Sequence, residues 1–197
     1  MAEIEIGFGD SGSTSGINYM PTGGSNNEPT RLALQDRSGG ATQVEFSITA
    51  NGGGASNTCR ETYTGFPDFS AGVKSCEFFT NDQSDNPVEF KFWNLPAGTH
   101  ELKIMSVRNG GGGRVGFFSF GTDLNSIDAS FNDQVLSLFY TAAEGEDVTM
   151  KFYAQFGSFG YLQAAILLLA EPSLNTPINP SITNLLATSA RLNWEQG

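Results

Sequence analysis

Short apolar runs separated by turn residues dominate residues 88–170. Within several of these runs apolar and polar positions alternate, so that Val88, Phe90 and Phe92 share one side of a run whose other side is charged. A period of two predicts β-strands with one buried face. Asn109-Gly110 stands between two such runs, and this dipeptide predicts a hairpin because both central residues of the turn must accept positive φ.

The run from Tyr161 to Ala170 differs because it is apolar almost throughout. It is too short to cross a membrane as a helix. We interpret it as a central strand buried on both faces, with a buried helical segment as the alternative.

Before residue 88, apolar runs of strand length are fewer. Four further strands are predicted, at Glu3–Gly9, Arg31–Asp36, Thr42–Ala50 and Cys76–Thr80. Two long Gly-, Ser- and Asn-rich stretches, Asp10–Glu28 and Asn51–Ser75, are predicted to be loops. About ten strands and no sustained helical period predict an all-β fold, an antiparallel jelly-roll β-sandwich over residues 1–171.

Composition narrows the function classes. The chain has 24 Gly and 16 Phe, which suits strands joined by tight turns, and a formal net charge of −11. So acidic a chain is a poor partner for nucleic acid or for an anionic membrane surface. No signal peptide is visible at the N-terminus, so we expect either a leader already removed or release without one, as for a phage particle protein.

The composition of the chain changes after Glu171. Pro172 and Pro177 punctuate a polar linker over residues 172–179. Residues 180–197 then resemble the opening of a fibronectin type III domain, with Pro180, a Leu-x-Ala-Thr element and Ala190-x-Leu192-x-Trp194. Two strands cannot form a sandwich alone, so we expect the rest of such a domain, or a neighbouring subunit, to cover them.

The part of the chain before residue 172 also resembles a known family. The relevant features are the IEIGFG strand, the LPAGTHELKI strand at 95–104, the RVGFFSFG run and the closing GYLQAAI. Together, over residues 3–171, they resemble the galactose-binding-like or malectin-like jelly rolls that accompany polysaccharide-degrading enzymes and surface proteins. The resemblance implies a non-catalytic, glycan-binding role. His100 departs from the pattern, because an aromatic residue is common at that position.

Candidate catalytic and metal motifs are incomplete. Gly9-Asp10-Ser11 suggests a serine esterase, but His100 is the single histidine and nothing else of such a site is present. A second histidine for a zinc motif is also missing. The oxygen-rich stretch Asn81–Asn86 suits calcium in its atoms but not in its spacing, so we predict a plain turn with calcium as the alternative. The chain is predicted to be no enzyme.

Aromatic residues carry the binding hypothesis. Trp93 lies on the charged side of its strand, where it either stacks on a sugar ring or packs beneath a loop. Tyr63, Phe66 and Phe69 in the long loop either cover the core or mark a contact surface. These four residues are the predicted ligand site. Cys59 and Cys76 bracket the loop and are predicted to form a disulfide, with two reduced thiols as the alternative.

The sequence therefore predicts a glycan-binding module within a larger multidomain surface or appendage protein, located extracellularly or on a virion. The alternative is a structural virion protein of a bacteriophage, such as a tail, fibre or head-decoration component. Either role implies neighbouring subunits. Function follows from sites rather than folds, so the structure has to show where a ligand fits.

Overall fold

The structure, a computed structural model, describes residues 2–8, 16–20, 31–50, 55–58, 63–81, 83–108, 113–131 and 134–171. In chain order the strands are β1 (Glu3–Phe8), β2 (Ile17–Met20), β3 (Leu32–Gln35), β4 (Ala41–Ala50), β5 (Ala55–Thr58), β6 (Cys76–Thr80), β7 (Val88–Leu95), β8 (Gly98–Met105), β9 (Val115–Phe120), β10 (Asp123–Asp128), β11 (Val135–Ala142), β12 (Glu146–Ala154), β13 (Gly160–Leu162) and β14 (Ala164–Leu168). A 3₁₀ helix, Ala71–Ser75, precedes β6.

Two large sheets form a β-sandwich. The five-stranded sheet has the order β11-β8-β14-β1-β2, and the six-stranded sheet has the order β10-β9-β12-β7-β4-β3. A small third sheet, β13-β6-β5, lies beside them. The core contains side chains from both large sheets. Some of its aromatic rings meet edge to face, as Phe8 does with Phe90 at 5.0 Å between centroids, and others stack, as Phe118 does with Phe152 at 4.7 Å. The predicted all-β sandwich is confirmed.

The alternation read from the sequence matches the burial. Val88, Phe90 and Phe92 are buried in the core, while Glu89 and Lys91 face outward. The strands predicted at Glu3–Gly9, Arg31–Asp36, Thr42–Ala50 and Cys76–Thr80 are present as β1, β3, β4 and β6. Strand period and turn chemistry were therefore sufficient to find most of the sandwich.

Both predicted loops contain regular structure. β2 lies within Asp10–Glu28 and pairs in parallel with β1, whereas the other described strand pairs are antiparallel. The stretch Asn51–Ser75 contains β5 and the 3₁₀ helix. Both strands are four residues long and their sequences, INYM and ASNT, are too short and polar to show a period of two. Pairing with a neighbour decides their conformation.

The final apolar run forms two strands instead of one. β13 belongs to the small sheet and β14 to the five-stranded sheet, and Gln163 joins them. The buried Gln163 side chain accepts a hydrogen bond from the Val107 backbone N–H at 2.7 Å and donates one to the Val107 carbonyl at 2.5 Å. It thereby satisfies a stretch of backbone that lies outside the sheets. The predicted burial of β14 on both faces is confirmed.

The hairpin predicted at Asn109-Gly110 is wrong. β8 and β9, the strands on either side, belong to different large sheets and do not pair with each other. Residues 109–112 lie outside the described part of the chain. The connection between the strands runs from residue 106 to residue 114, much longer than the two-residue loop that an Asn-Gly hairpin requires.

The predicted linker and the fibronectin-like segment, residues 172–197, lie outside the described residues. Their organisation, and the neighbour expected to cover Leu192 and Trp194, stay predictions. Gly9-Asp10-Ser11 also lies outside the described residues.

A further layer covers part of the outer face of the five-stranded sheet. Residues 63–75, called here the covering segment, pack their buried aromatic residues on the apolar side chains of β8 and β14. A buried carboxylate fixes the segment: Glu5 on β1 accepts hydrogen bonds from the Ser70 backbone N–H at 2.7 Å and from the Ser70 hydroxyl at 2.5 Å. Arg37, in the β3–β4 turn, lies 3.2 Å from the same carboxylate.

We expect Arg37→Ala to destabilise the protein by about 2–4 kcal/mol, since it leaves the buried Glu5 carboxylate without its cation. This range is below that for a fully buried pair because the Arg37 side chain is partly exposed. Urea denaturation measures the change. Lys151→Ala is the matched control: its ion pair with Glu89 is a surface contact, so we expect a loss within about 1 kcal/mol. Equal losses in both variants would contradict the anchoring role of Glu5.

Candidate functional site

Trp93 lies on the outer face of the six-stranded sheet. Its cross-strand partner is Glu45 on β4, and its indole N–H donates a hydrogen bond to the Ser47 hydroxyl at 2.9 Å. The side chain is half-buried, and its placement on the charged side of β7 agrees with the sequence pattern. The ring edge is therefore fixed by a specific polar contact.

Two cations contact the Trp93 ring. The Arg31 guanidinium carbon and the Lys91 ammonium nitrogen each lie 3.6 Å from its centroid. Both cations also form ion pairs, Arg31 with Glu45 and Lys91 with Asp147. Cation–π contacts of this kind stabilise the ring from within the protein. A sugar that stacked on the same side of the ring as either cation would have to displace it.

Tyr63, Phe66 and Phe69 are all buried, so their side chains are not open to a ligand here, and their predicted binding role stays a prediction. They pack in a cluster with Met105 and Ile166 from the outer face of the five-stranded sheet. That face presents apolar side chains, and burying them in contact with the covering segment is favourable. The alternative that these aromatic residues cover the core is the one observed.

The four predicted ligand residues therefore do not form one site. Trp93 is on the outer face of the six-stranded sheet, while Tyr63, Phe66 and Phe69 lie over the outer face of the five-stranded sheet. The core of the sandwich separates the two faces.

A cleft lies where the covering segment ends on the five-stranded sheet. It has a volume of about 160 Å³. Its lining residues, which define the Arg37–Lys103 cleft, are Glu3, Arg37, Asp68, Lys103, Ile166 and Leu168. Ile166 and Leu168 belong to β14 and give the cleft an apolar floor, while the other four residues form a charged rim. Sequence analysis did not identify it, because its walls come from four separate parts of the chain.

The charges at the rim are paired. Arg37 contacts the Glu3 carboxylate at 3.0 Å and donates a hydrogen bond to the Asp68 carbonyl at 2.7 Å. Lys103 lies 3.3 Å from the Asp68 carboxylate, whose side chain is 58% exposed. Arg37 also pairs with the buried Glu5 carboxylate, so three carboxylates face two cations here. Such a rim offers both donors and acceptors to a polar ligand.

His100 is a structural residue. The side chain is buried, and its Nδ1 accepts a hydrogen bond from the Ala170 backbone N–H at 3.1 Å. An accepting Nδ1 places the proton of the neutral ring on Nε2, which lies 2.8 Å from the Pro96 carbonyl and donates to it. The single histidine thus joins the start of β8 to the end of β14.

Possible metal ligands do not cluster among the described residues. In the part of the chain that is described, no group of three or more His, Cys, Asp or Glu side chains is placed to hold a metal ion. In the stretch Asn81–Asn86, the Asn86 N–H bonds the Gln83 carbonyl at 3.0 Å, as expected for a turn. Asp82 lies outside the described residues.

Several solved structures resemble this chain in fold, at low sequence identity. The Bacillus subtilis protein YXIM aligns with a TM-score of 0.51 and 15% identity, over 86% of this chain and 41% of that one. A Bacteroides uniformis beta-glucuronidase 2 structure has a TM-score of 0.49 and 11% identity, covering 86% of this chain and 18% of that one. A family 35 carbohydrate-binding module from Clostridium thermocellum has a TM-score of 0.36 and 13% identity, over 73% and 99%.

The similarity to YXIM shows a shared fold and nothing further, and this chain spans less than half of the length of that protein. No protein-family model matches the chain, and no curated protein is detectably similar to it in sequence. Within the described residues no helix is long and apolar enough to cross a membrane.

The predicted disulfide is left as a prediction. Cys59 lies outside the described residues, and only the backbone of Cys76 is described. Thr58, the residue before Cys59, is the cross-strand partner of Cys76. A bridge here would stabilise the fold by about 3 kcal/mol in the chain-entropy model. Mass spectrometry after non-reducing alkylation should find no modified cysteine, and two alkylated thiols would contradict the prediction.

We expect His100 to make stability depend on pH. Burial is the main cause that lowers the pKa of His100 below its ordinary value. The unfolded chain then takes up a proton more readily, so this contribution to stability is complete above about pH 6.5 and is lost as the pH falls below it. The slope reaches at most about 1.4 kcal/mol per pH unit.

Urea denaturation at pH 7.5 and 5.5 should therefore show a larger loss for the wild type than for His100→Gln, in which position 100 does not titrate. All other titratable groups are common to both proteins. Equal losses would show that His100 does not carry the dependence.

Proposed function

We propose that this chain is a non-catalytic glycan-binding module that holds a neutral sugar residue in the Arg37–Lys103 cleft. The observation that carries the proposal is the combination of an apolar floor with a rim of paired charges. A pyranose has the complementary form, since its ring faces are largely C–H and its edge is hydroxyl. Leu168, the partly exposed residue of the floor, would contact the ring face, and the rim would exchange hydrogen bonds with the hydroxyls.

The size of the cleft fits a single ring. Its volume is about 160 Å³, and a protein cavity of about 150 Å³ holds a benzene molecule. The six-membered ring of a sugar, with its hydroxyl groups at the rim and its neighbouring units outside, is of this size.

The charges at the rim favour one class of ligand. Arg37 is paired with Glu3 and with the buried Glu5, and Lys103 is paired with Asp68. An anion that enters the cleft finds both cations already paired and meets the carboxylates of Glu3 and Asp68, whereas hydroxyl groups can accept from the cations and donate to the carboxylates. A neutral ligand rich in hydroxyl groups uses both without opposition. The cleft therefore favours a neutral glycan over a uronic acid or a sulfated one.

The position of His100 supports a non-catalytic role. Both ring nitrogens are engaged with backbone groups inside the fold, so the single histidine is not placed as a general base at the cleft. An extracellular location is part of this proposal, because polysaccharides are met outside the cell. A structural role in a virion, and contacts with neighbouring subunits, stay predictions.

The test uses immobilised neutral polysaccharides, namely xylan, mannan, galactan and β-glucan, with polygalacturonate as the anionic comparison. We expect binding to at least one neutral polymer and none to polygalacturonate. Asp68→Ala should weaken binding by about tenfold to a hundredfold, because hydrogen bonds to a charged group are worth about 1.5–3 kcal/mol. No binding of the wild type to any neutral polymer would reject the proposal.

Two variants on the opposite sheet serve as controls. The ion pair of Lys151 with Glu89 spans 3.1 Å between neighbouring strands, and that of Lys103 with Asp68 spans 3.3 Å between β8 and the covering segment. Lys151→Ala should leave binding unchanged. Trp93→Ala should also leave it unchanged. A loss in Trp93→Ala with full binding by Asp68→Ala would place the site on the six-stranded sheet and contradict the proposed cleft.

A further inference from the structure

An exposed aromatic side chain lies in line with the cleft. Phe139 on β11 is 52% exposed. It is the cross-strand partner of Glu101 on β8, which in turn is the partner of Leu168 in the cleft floor. Partners in register share one face of a sheet. Phe139, Glu101 and Leu168 therefore form one row across the outer face of the five-stranded sheet, which continues to Glu3 on β1.

The cleft is closed at one end of this row and open toward the other. At the β1 end Arg37 contacts both the Glu3 carboxylate and the Asp68 carbonyl, so the turn, the strand and the covering segment meet there. In the opposite direction the row runs across β8 to the edge strand β11. A chain whose end residue occupies the cleft can therefore extend along this row toward Phe139.

The distance along the row suits a short oligosaccharide. Leu168 and Phe139 are two strands apart, which corresponds to about 10 Å across a sheet. This is comparable to the length of two linked pyranose units. Glu101 lies between them, and its carboxylate is held by a hydrogen bond of 2.7 Å from the Ser137 hydroxyl. The row thus offers an apolar contact, an acceptor and an aromatic ring in succession.

The core does not require the Phe139 ring. Its neighbours in sequence, Leu138 and Tyr140, both contact the core, while Phe139 faces outward. The backbone N–H of Phe139 donates a hydrogen bond to the Asp123 carboxylate at 2.8 Å, which secures this edge strand without use of the ring. Removal of the ring is therefore expected to leave the fold intact.

We propose that Phe139 is an outer subsite for a neutral oligosaccharide of at least three units, whose first unit occupies the Arg37–Lys103 cleft. The inference rests on the proposed function. The middle unit passes over Glu101, and the third stacks on Phe139, in the manner of an aromatic ring with an apolar sugar face. The bound oligosaccharide would lie across the strands, from β14 to the edge strand β11.

Calorimetry with gluco-, manno-, xylo- and galacto-oligosaccharides of one to four units tests the inference. For the series that binds, the affinity of the wild type should rise from one to three units and then level off. Phe139→Ala should lower the affinity for the trisaccharide by about three- to tenfold and leave that for the monosaccharide unchanged. Phe139→Tyr, which keeps the ring, should behave as the wild type.

Phe156→Ala is the matched control, because Phe156 is 90% exposed but lies in the turn after β12, away from this row. An equal effect of Phe139→Ala on all chain lengths, or none on the trisaccharide, would overturn the subsite while leaving the cleft. A wild type that binds no member of any series would reject the proposed function, and the subsite with it. Sedimentation is run in parallel, and dimers lost in Phe139→Ala without change in affinity would assign Phe139 to self-association instead.

Discussion

The buried carboxylate of Glu5 is the contact on which the outer face of the five-stranded sheet depends. A carboxylate without access to water is costly unless it is paired and hydrogen-bonded, and Glu5 is satisfied by Arg37 from one side and Ser70 from the other. These partners belong to the β3–β4 turn and to the covering segment, which are distant in sequence. One charged group on β1 therefore joins three parts of the chain and fixes the height of the covering segment above the sheet.

Most of the sandwich could be predicted from the sequence because its strands are long and its faces are unequal. Alternation places Val88, Phe90 and Phe92 in the core without reference to any other part of the chain. β2 could not be found in this way, since four residues carry little periodicity and the strand is held by pairing with β1. The hairpin at Asn109-Gly110 failed for a related reason: the dipeptide specifies a local conformation, while sheet membership is decided by partners far away.

The site was harder to predict than the fold, although one signal was present. A strand apolar on both faces needs cover on both, and β14 was read correctly as such a strand. That reading implies a second layer over the sheet, and the aromatic residues of the 51–75 stretch were the available material. Their burial could thus have been inferred from Tyr161–Ala170. The cleft could not, because Glu3, Arg37, Asp68 and Lys103 come together only through tertiary packing.

The cleft is a consequence of incomplete cover. The covering segment buries the side of the outer face that contains Met105 and Ile166, and its edge on the sheet lies at Asp68. Beyond that edge Leu168 is only partly buried, and Phe139 at the far edge of the same face is 52% exposed. A flat sheet face offers no walls to a ligand, but a face that is half covered gains a step. Burial of the apolar side chains on the outer face of β14 holds the covering segment in place, and the edge of that segment creates the concave surface. The ion pairs that fix this edge supply the polar groups of the rim.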